Sequence, residues 1–499
     1  MNAEELYQIY RTKMSRIADV KAASAVLQWD QETYLPPKGA PFRGQQISTL
    51  SELAHQLFSE DTLGDLLNEL NTSDSLPAAQ KKNVQRTLDD YNKNKKYTSH
   101  FVRALSEQVN KCFHAWIEAR KQNSFAVYEN NLHILVQLKK EETQILGYQQ
   151  HPYDALLDEY EKGATVALLD KTFATLLPPL KELFEKIIAA PQVDDSFLQQ
   201  YFPKQQQWDW GMHIIKALHF DFEAGRQDMS EHPFSTSFCP QDVRITTRID
   251  ENDFGNMTWS CIHELGHALY EQGLPAEQYG SPLGEACSYS IHESQSRLWE
   301  NNIGRSKVFW QHFYPQLQQY FPKQFGNLGL EQFYKGINKV QPSLIRTEAD
   351  EISYHFHVFI RYELEKRLIE GSLQTTDIPS FWNEQYKNYL GVTVPDDKRG
   401  ALQDVHWSHG SFGYFPTYSL GSFYAAQFFA KAKEAIRSLE EQISAGNTLP
   451  LLIWLRENIH SKGRYFTSEG LCQEVTGETL NGNYFMQYAE EKYREIYHT

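Results

Sequence analysis

Apolar residues recur at three- and four-residue intervals through most of the chain, as in Leu6, Ile9, Tyr10, Met14, Ile17 and Val20, and again in Leu105, Val109, Phe113 and Trp116. That spacing lines one face of a helix with apolar side chains, so the fold is predicted to be mainly α. Breakers punctuate the pattern at Leu35-Pro36-Pro37-Lys38-Gly39, at Leu177-Pro178-Pro179 and at Gly446-Asn447-Thr448-Leu449-Pro450. Proline removes a backbone donor and glycine frees φ, so helices are expected to stop there. No internal repeat and no long Gly/Ser linker divides the 499 residues, and a hydrophobic content of 41% is enough for a large core. One folded domain over residues 1–499 is the expectation.

The 64 acidic residues outnumber the 48 basic ones, giving a formal charge of -16. Such a surface repels phosphate backbones and anionic lipid, which argues against nucleic acid and membrane partners. No apolar run reaches the roughly 18 residues a membrane helix needs, and the opening Met1-Asn2-Ala3-Glu4-Glu5-Leu6 is acidic where an export signal would be basic. Cys112, Cys239, Cys261, Cys287 and Cys472 are odd in number, scattered, and without the close pairing of disulfide or thiolate-metal frameworks. Reduced thiols and a cytoplasmic location are expected.

One segment departs from the helical habit. Val243, Ile245 and Thr247 alternate with Arg244, Thr246 and Arg248 ahead of Asp250-Glu251-Asn252-Asp253-Phe254-Gly255, which reads as a strand followed by a turn. Helical spacing resumes near Asn256 or Thr258, runs through Ile262, Leu265 and Leu269, and is expected to stop in a left-handed cap at Gly273.

That helix carries His263-Glu264-Leu265-Gly266-His267. Histidines four residues apart project from one helix face, so both imidazoles can reach one ion, and the adjacent acid can take a proton from an activated water. His263 and His267 are therefore predicted metal ligands and Glu264 the catalytic base. A catalytic centre needs a third protein ligand and an open fourth place. Glu285, His292 and Glu293 are the candidates; Glu293 is preferred because Tyr289, Ile291 and Leu298 mark a second helix that can return beside the first. Glu285 is the fallback ligand or a helix cap. No third histidine follows the motif in Ala268-Leu269-Tyr270-Glu271-Gln272-Gly273, which sets the chain apart from the H-E-x-x-H-x-x-G-x-x-H enzymes. The chain also lacks a Gly-Ala-Met-Glu-Asn segment of the kind that holds a free amino terminus.

Further blocks extend the pattern: Trp29-Asp30-Gln31-Glu32-Thr33-Tyr34, His232-Pro233-Phe234, Asp242-Val243-Arg244-Ile245-Thr246, His292-Glu293-Ser294-Gln295, Ile345-Arg346-Thr347-Glu348-Ala349-Asp350 and Gly400-Ala401-Leu402-Gln403-Asp404-Val405-His406-Trp407. Together with the histidine motif they resemble the carboxypeptidase Taq family of metallocarboxypeptidases over nearly the whole chain. The resemblance implies release of single residues from peptide C-termini with broad specificity, zinc or cobalt as the ion, and a homodimer. It also implies two helical lobes forming a shell around a deep active-site groove, with a small β-sheet next to the metal helix, zincin-like and neurolysin-like. The metal-binding core would lie at about residues 230–300.

Four more residues are candidates on chemical grounds. His406 and Tyr418, in a Gly- and aromatic-rich stretch, offer imidazole and phenol donors to an oxyanion, or else are packed aromatics. A guanidinium matches a terminal carboxylate in charge and geometry, and the resemblance, through the block at residues 345–350, points to Arg346, which otherwise pairs with Glu348 or Asp350. Arg244 is a second carboxylate candidate, on a strand expected at the sheet edge, where a peptide backbone can add. The rival readings are an oligoendopeptidase of similar architecture and, in another class, an inactive peptide-binding protein.

Overall fold

The computed structural model describes residues 1–498. Helices dominate from Ala3–Thr33 to Asn483–Tyr497. The first begins where Asn2 Oδ1 accepts from the Glu5 amide at 2.8 Å and Glu5 Oε2 accepts from the Asn2 amide at 2.9 Å, a reciprocal cap that satisfies two donors. Its buried Leu6, Tyr10, Met14 and Ile17 pack on Leu63, Leu66, Leu67 and Leu70 of the helix Asp61–Asn71 and on Val84 and Tyr91 of Ala78–Lys95.

Two of the three expected breaks are present. A short 3-10 turn at Pro37–Gly39 separates Ala3–Thr33 from Ala40–Phe58, and Gly446 at φ +82° lies between Leu439–Ser444 and Leu449–Asn458. The third expectation fails, because Pro178 and Pro179 sit inside the continuous helix Val166–Ala189. The carbonyls they leave unpaired belong to Ala174 and Thr175, both exposed, so water can satisfy them. Leu176, Leu177, Leu180, Leu183 and Phe184 bury the opposite face and hold the helix together. Burial of about 1.5–3 kcal/mol for each such side chain outweighs the proline cost of roughly 3 kcal/mol apiece.

The chain divides into two compact units, each assembled from three segments. The first comprises Met1–Lys95, Asp194–Ile337 and Tyr424–Leu480; the second comprises Lys96–Val193, Asn338–Phe423 and Asn481–Thr499.

The first unit contains the three-stranded sheet: β1 Gly225–Met229, β2 Ser235–Cys239 and β3 Asp242–Thr247, in the order β1-β3-β2. β1 runs parallel to β3, with Gly225 opposite Val243, and β2 runs antiparallel to it, with Ser235 opposite Ile245. The strand expected from alternation is thus β3, but it is the central strand and not an edge, so no peptide can add to it. β1 and β2 had no alternating pattern to reveal them. Val243 and Ile245 are buried, at 0% and 1% exposure, beneath the helix that follows.

That helix, Phe254–Glu271, starts two residues earlier than Asn256 because Asp253 caps it, its Oδ1 accepting from the Gly255 amide at 2.8 Å. Its end also differs from expectation. Gln272 keeps helical angles and Gly273 has no positive φ. A Cβ at Gly273 would lie 2.4 Å from His460 Nδ1, so this glycine serves close packing and not a left-handed cap.

Candidate metal centre

His263 and His267 project from the same face of Phe254–Glu271, their ring centroids 4.9 Å apart. Glu293 comes from a second helix, Tyr289–Arg297, whose N-terminus is fixed by Ser288 Oγ accepting from the Ile291 amide at 3.1 Å. The two helices approach closely because Gly266, in the middle of the motif, has no side chain. A Cβ there would meet Ser296 Cα at 2.5 Å and the Gln295 carbonyl oxygen at 2.6 Å.

One donor atom from each of His263, His267 and Glu293 falls within 4.8 Å of the others. Glu293 Oε2 lies 3.5 Å from His267 Nε2 and 3.8 Å from His263 Nε2. Metal–donor bonds of about 2.0–2.2 Å in a tetrahedral set separate the donors by roughly 3.3–3.6 Å, close to the two separations that Glu293 Oε2 makes with the imidazoles.

The tautomers also fit. His263 Nδ1–H donates to Glu300 Oε2 at 2.8 Å, which turns its Nε2 lone pair toward the site. His267 Nδ1–H faces two acceptors on His292, the carbonyl oxygen at 3.1 Å and Nδ1 at 2.6 Å. His292 in turn donates from Nε2 to Glu271 Oε1 at 2.9 Å, leaving its Nδ1 free to accept. Both candidate imidazoles are therefore oriented from behind by hydrogen bonds that end on a carboxylate.

Burial opposes charge at every one of these groups, and neighbours decide the outcome. At Glu293 the penalty of burial is outweighed by Arg297 and the two imidazoles, which hold the carboxyl well below its usual range. Glu300 is likewise brought to about 2, against burial, by Arg297 and His263. Burial, reinforced by His292, pushes His267 down to about 3, the neutral form a ligand requires. Glu264 behaves differently: burial raises it to about 7, with His263 and the nearby Ser235 hydroxyl pulling it down and Glu293 pushing it up. A carboxyl at that value can both take and return a proton near neutral pH.

The other candidates for third ligand lie elsewhere. Glu285 follows a 3-10 turn and pairs with Arg464 at 2.8 Å, and Ser288, not Glu285, caps the helix Tyr289–Arg297. His292 stands behind His267. Arg244 is clamped by Asp242, both guanidinium contacts at 3.0 Å, and stacks 4.3 Å over the Trp29 ring.

Arg346, His406 and Tyr418 come together in the second unit. Arg346 is 6% exposed and pairs not with Glu348 or Asp350 but with Asp404, Nε at 3.0 Å and Nη2 at 2.9 Å, while Nη1 reaches the Tyr354 hydroxyl at 3.1 Å. Asp350 instead accepts from the Ile352 and Ser353 amides, each at 2.9 Å. His406 Nε2 lies 3.2 Å from the Tyr418 hydroxyl, and burial drives this histidine to about 3, so it is neutral.

Sequence reasoning passed over Arg297 and Glu300. Their spacing of four and seven residues from Glu293 puts all three on one helix face, the one signal that would have found them.

The comparisons with known proteins agree with this geometry. Residues 9–493 match the family described as carboxypeptidase Taq (M32) metallopeptidase. Carboxypeptidase 1 of Bacillus subtilis (strain 168) is 38% identical over 97% of both chains. Thermostable carboxypeptidase 1 of Thermus thermophilus is 38% identical over 100% of both. The crystal structure of the M32 carboxypeptidase from Deinococcus radiodurans R1, at 36% identity, superposes with a TM-score of 0.97 over 99% of this chain and 100% of that one. With a mainly helical fold, a small sheet under the motif helix, and a two-histidine, one-glutamate cluster, this chain belongs to the carboxypeptidase Taq (M32) family of metallopeptidases.

Proposed function

We propose that this metallocarboxypeptidase removes single residues from peptide C-termini with Glu264 as its proton carrier and His263, His267 and Glu293 as the ligands of a zinc ion. The observation that carries the reading is the convergence of those three donors beside Glu264, a buried acid that its burial pushes up to about 7. The nitrogen-rich donor set suits zinc, with cobalt as a substitute. When bound, the ion would supply Lewis acidity to water and to the scissile carbonyl.

The residues of the chain do the rest. Glu264 accepts a proton from the attacking water and delivers it to the departing amine. Glu300 and His292 hold the imidazoles in the tautomers that leave Nε2 free to bind. The unpaired edges of the sheet belong to β1 and β2, and β2 begins at Ser235 beside Glu264, so that edge suits an incoming peptide backbone.

His406 and Tyr418 are proposed donors to the developing oxyanion, the imidazole acting in its neutral form. Arg346 is the proposed partner of the terminal carboxylate. Two guanidiniums, Arg346 and Arg361, share the single carboxylate of Asp404 in the second unit, and this surplus of positive charge favours an anion. Arg244 is a weaker candidate because Asp242 already holds its fork.

Location in the cytoplasm is supported by cysteines that remain thiols; a homodimer is proposed from the family resemblance, and sedimentation tests it. Among the described residues no helix is long and apolar enough to cross a membrane. Amidating the C-terminus of a test peptide separates carboxypeptidase from endopeptidase action. Cleavage should fall by at least roughly 10-fold, the loss of a charge-assisted hydrogen bond worth about 1.5–3 kcal/mol; equal cleavage of acid and amide would refute the proposal.

A further inference from the structure

The two oxygens of Glu293 have different surroundings. Oε1 accepts from Arg297 Nε at 2.7 Å, whereas Oε2 is the oxygen turned toward the imidazoles, 3.5 Å from His267 Nε2. Arg297 Nη1 simultaneously reaches Glu300 Oε2 at 3.2 Å, and that same oxygen accepts from His263 Nδ1 at 2.8 Å. One guanidinium thus closes a ring of contacts through His263, Glu300 and Glu293, tying two of the three donors together. Its side chain is only 16% exposed.

The other side of Glu300 is held as well. The helix Tyr289–Arg297 runs on into a π-helical stretch, Leu298–Ile303, closed by the Gly304 amide on the Trp299 carbonyl at 2.8 Å. Just beyond it, Arg305 Nη2 lies 3.6 Å from Glu300 Oε1. A carboxylate gripped from both sides cannot swing, and neither can the arginine attached to it.

On the reading that the trio binds a metal, we infer that Arg297 is a positioning residue that confines Glu293 to one-oxygen ligation through Oε2, so preserving an open coordination place. Carboxylates bind ions through one oxygen or two, and ligation through both would fill the place that a catalytic centre keeps for water. Turning Oε1 onto the ion would break the charge-assisted bond from Arg297 Nε and cost the buried guanidinium one of its two carboxylate contacts. A merely structural ion pair would affect folding stability and leave the coordination number unchanged.

The test uses the full chain, stripped of metal and reloaded with Co2+ alone, whose visible bands weaken as coordination number rises. Arg297→Met should bind Co2+ with bands weaker than those of the unaltered protein, and Arg297→Lys, which returns a cation to Oε1, should recover them. In the zinc-loaded protein kcat should fall about tenfold more than KM changes. A folded Arg297→Met protein with unaltered cobalt bands overturns the inference. If that variant gives no cooperative thermal transition, Arg297→Gln, which keeps one donor arm without the charge, is read in the same way. An unaltered protein that takes up no Co2+ overturns the metal reading itself, whatever Arg297 does.

Discussion

Glu264 is the most buried acid of the motif helix and the proposed proton carrier. Replacing it with Gln keeps size and hydrogen bonding but removes the basic site, so hydrolysis should drop by roughly 10²- to 10⁴-fold. Zinc content should stay at the unaltered level, as measured by atomic absorption, because Glu264 is outside the donor trio. Glu300→Gln probes the layer behind the ligands. A neutral acceptor weakens the pull on His263 Nδ1–H, and outer partners of this kind are worth about 10- to 100-fold in metal affinity. Competition with a chromophoric chelator should show zinc held about 10-fold less tightly. His263, Glu264 and His267 were legible in the sequence because they are local, set by one helix and its period. Glu300 and Arg297 were not, since an acid or an arginine on a helix looks like an ordinary solvated residue until its partner from another turn is in view.

Among the elements, the pairing of Phe254–Glu271 with Tyr289–Arg297 sets the centre's dimensions. Gly266→Ala would drive a methyl group into backbone atoms of Gln295 and Ser296, which cannot rotate away as a side chain would. The second helix must then shift outward and carry Glu293 with it. Overpacking of this sort costs about 1–3 kcal/mol. The expected result is a lower midpoint of urea unfolding for the apo protein together with weakened zinc binding; loss of stability alone would detach the glycine from the ligand geometry. The strand β3 and the motif helix were readable because alternation and helical period are strong there. β1 and β2 were not, because Gly225-Arg226-Gln227-Asp228-Met229 and Ser235-Thr236-Ser237-Phe238-Cys239 owe their extended form to hydrogen bonding with β3. The proline pair in Val166–Ala189 misled for the same kind of reason, with tertiary burial overriding local preference.

For the molecule as a whole, buried histidines govern the response to acid. Burial lowers His406 and His460 from 6.5 to about 3, with Arg456 assisting at His460, and His357 also lies well below its ordinary value. His406 and His460 bind protons in the unfolded chain below pH 6.5 but remain neutral in the folded one until about pH 3. Unfolding is therefore favoured as pH falls through that window, by up to about 1.4 kcal/mol per pH unit for each histidine. Urea midpoints measured between pH 7 and 5 should decline, and His460→Gln, which keeps a partner for Gln295, should flatten the decline. A slope unaffected by that change would mean that His460 titrates normally.

The three-segment make-up of the first unit also bears on how the enzyme comes into being. A nascent polypeptide halted after Ile337 already carries all the proposed ligands. It still lacks His460, the ring that seats against Gly273 where the motif helix ends. The unit that holds the proposed ligands is therefore assembled only once Tyr424–Leu480 has joined the two earlier segments.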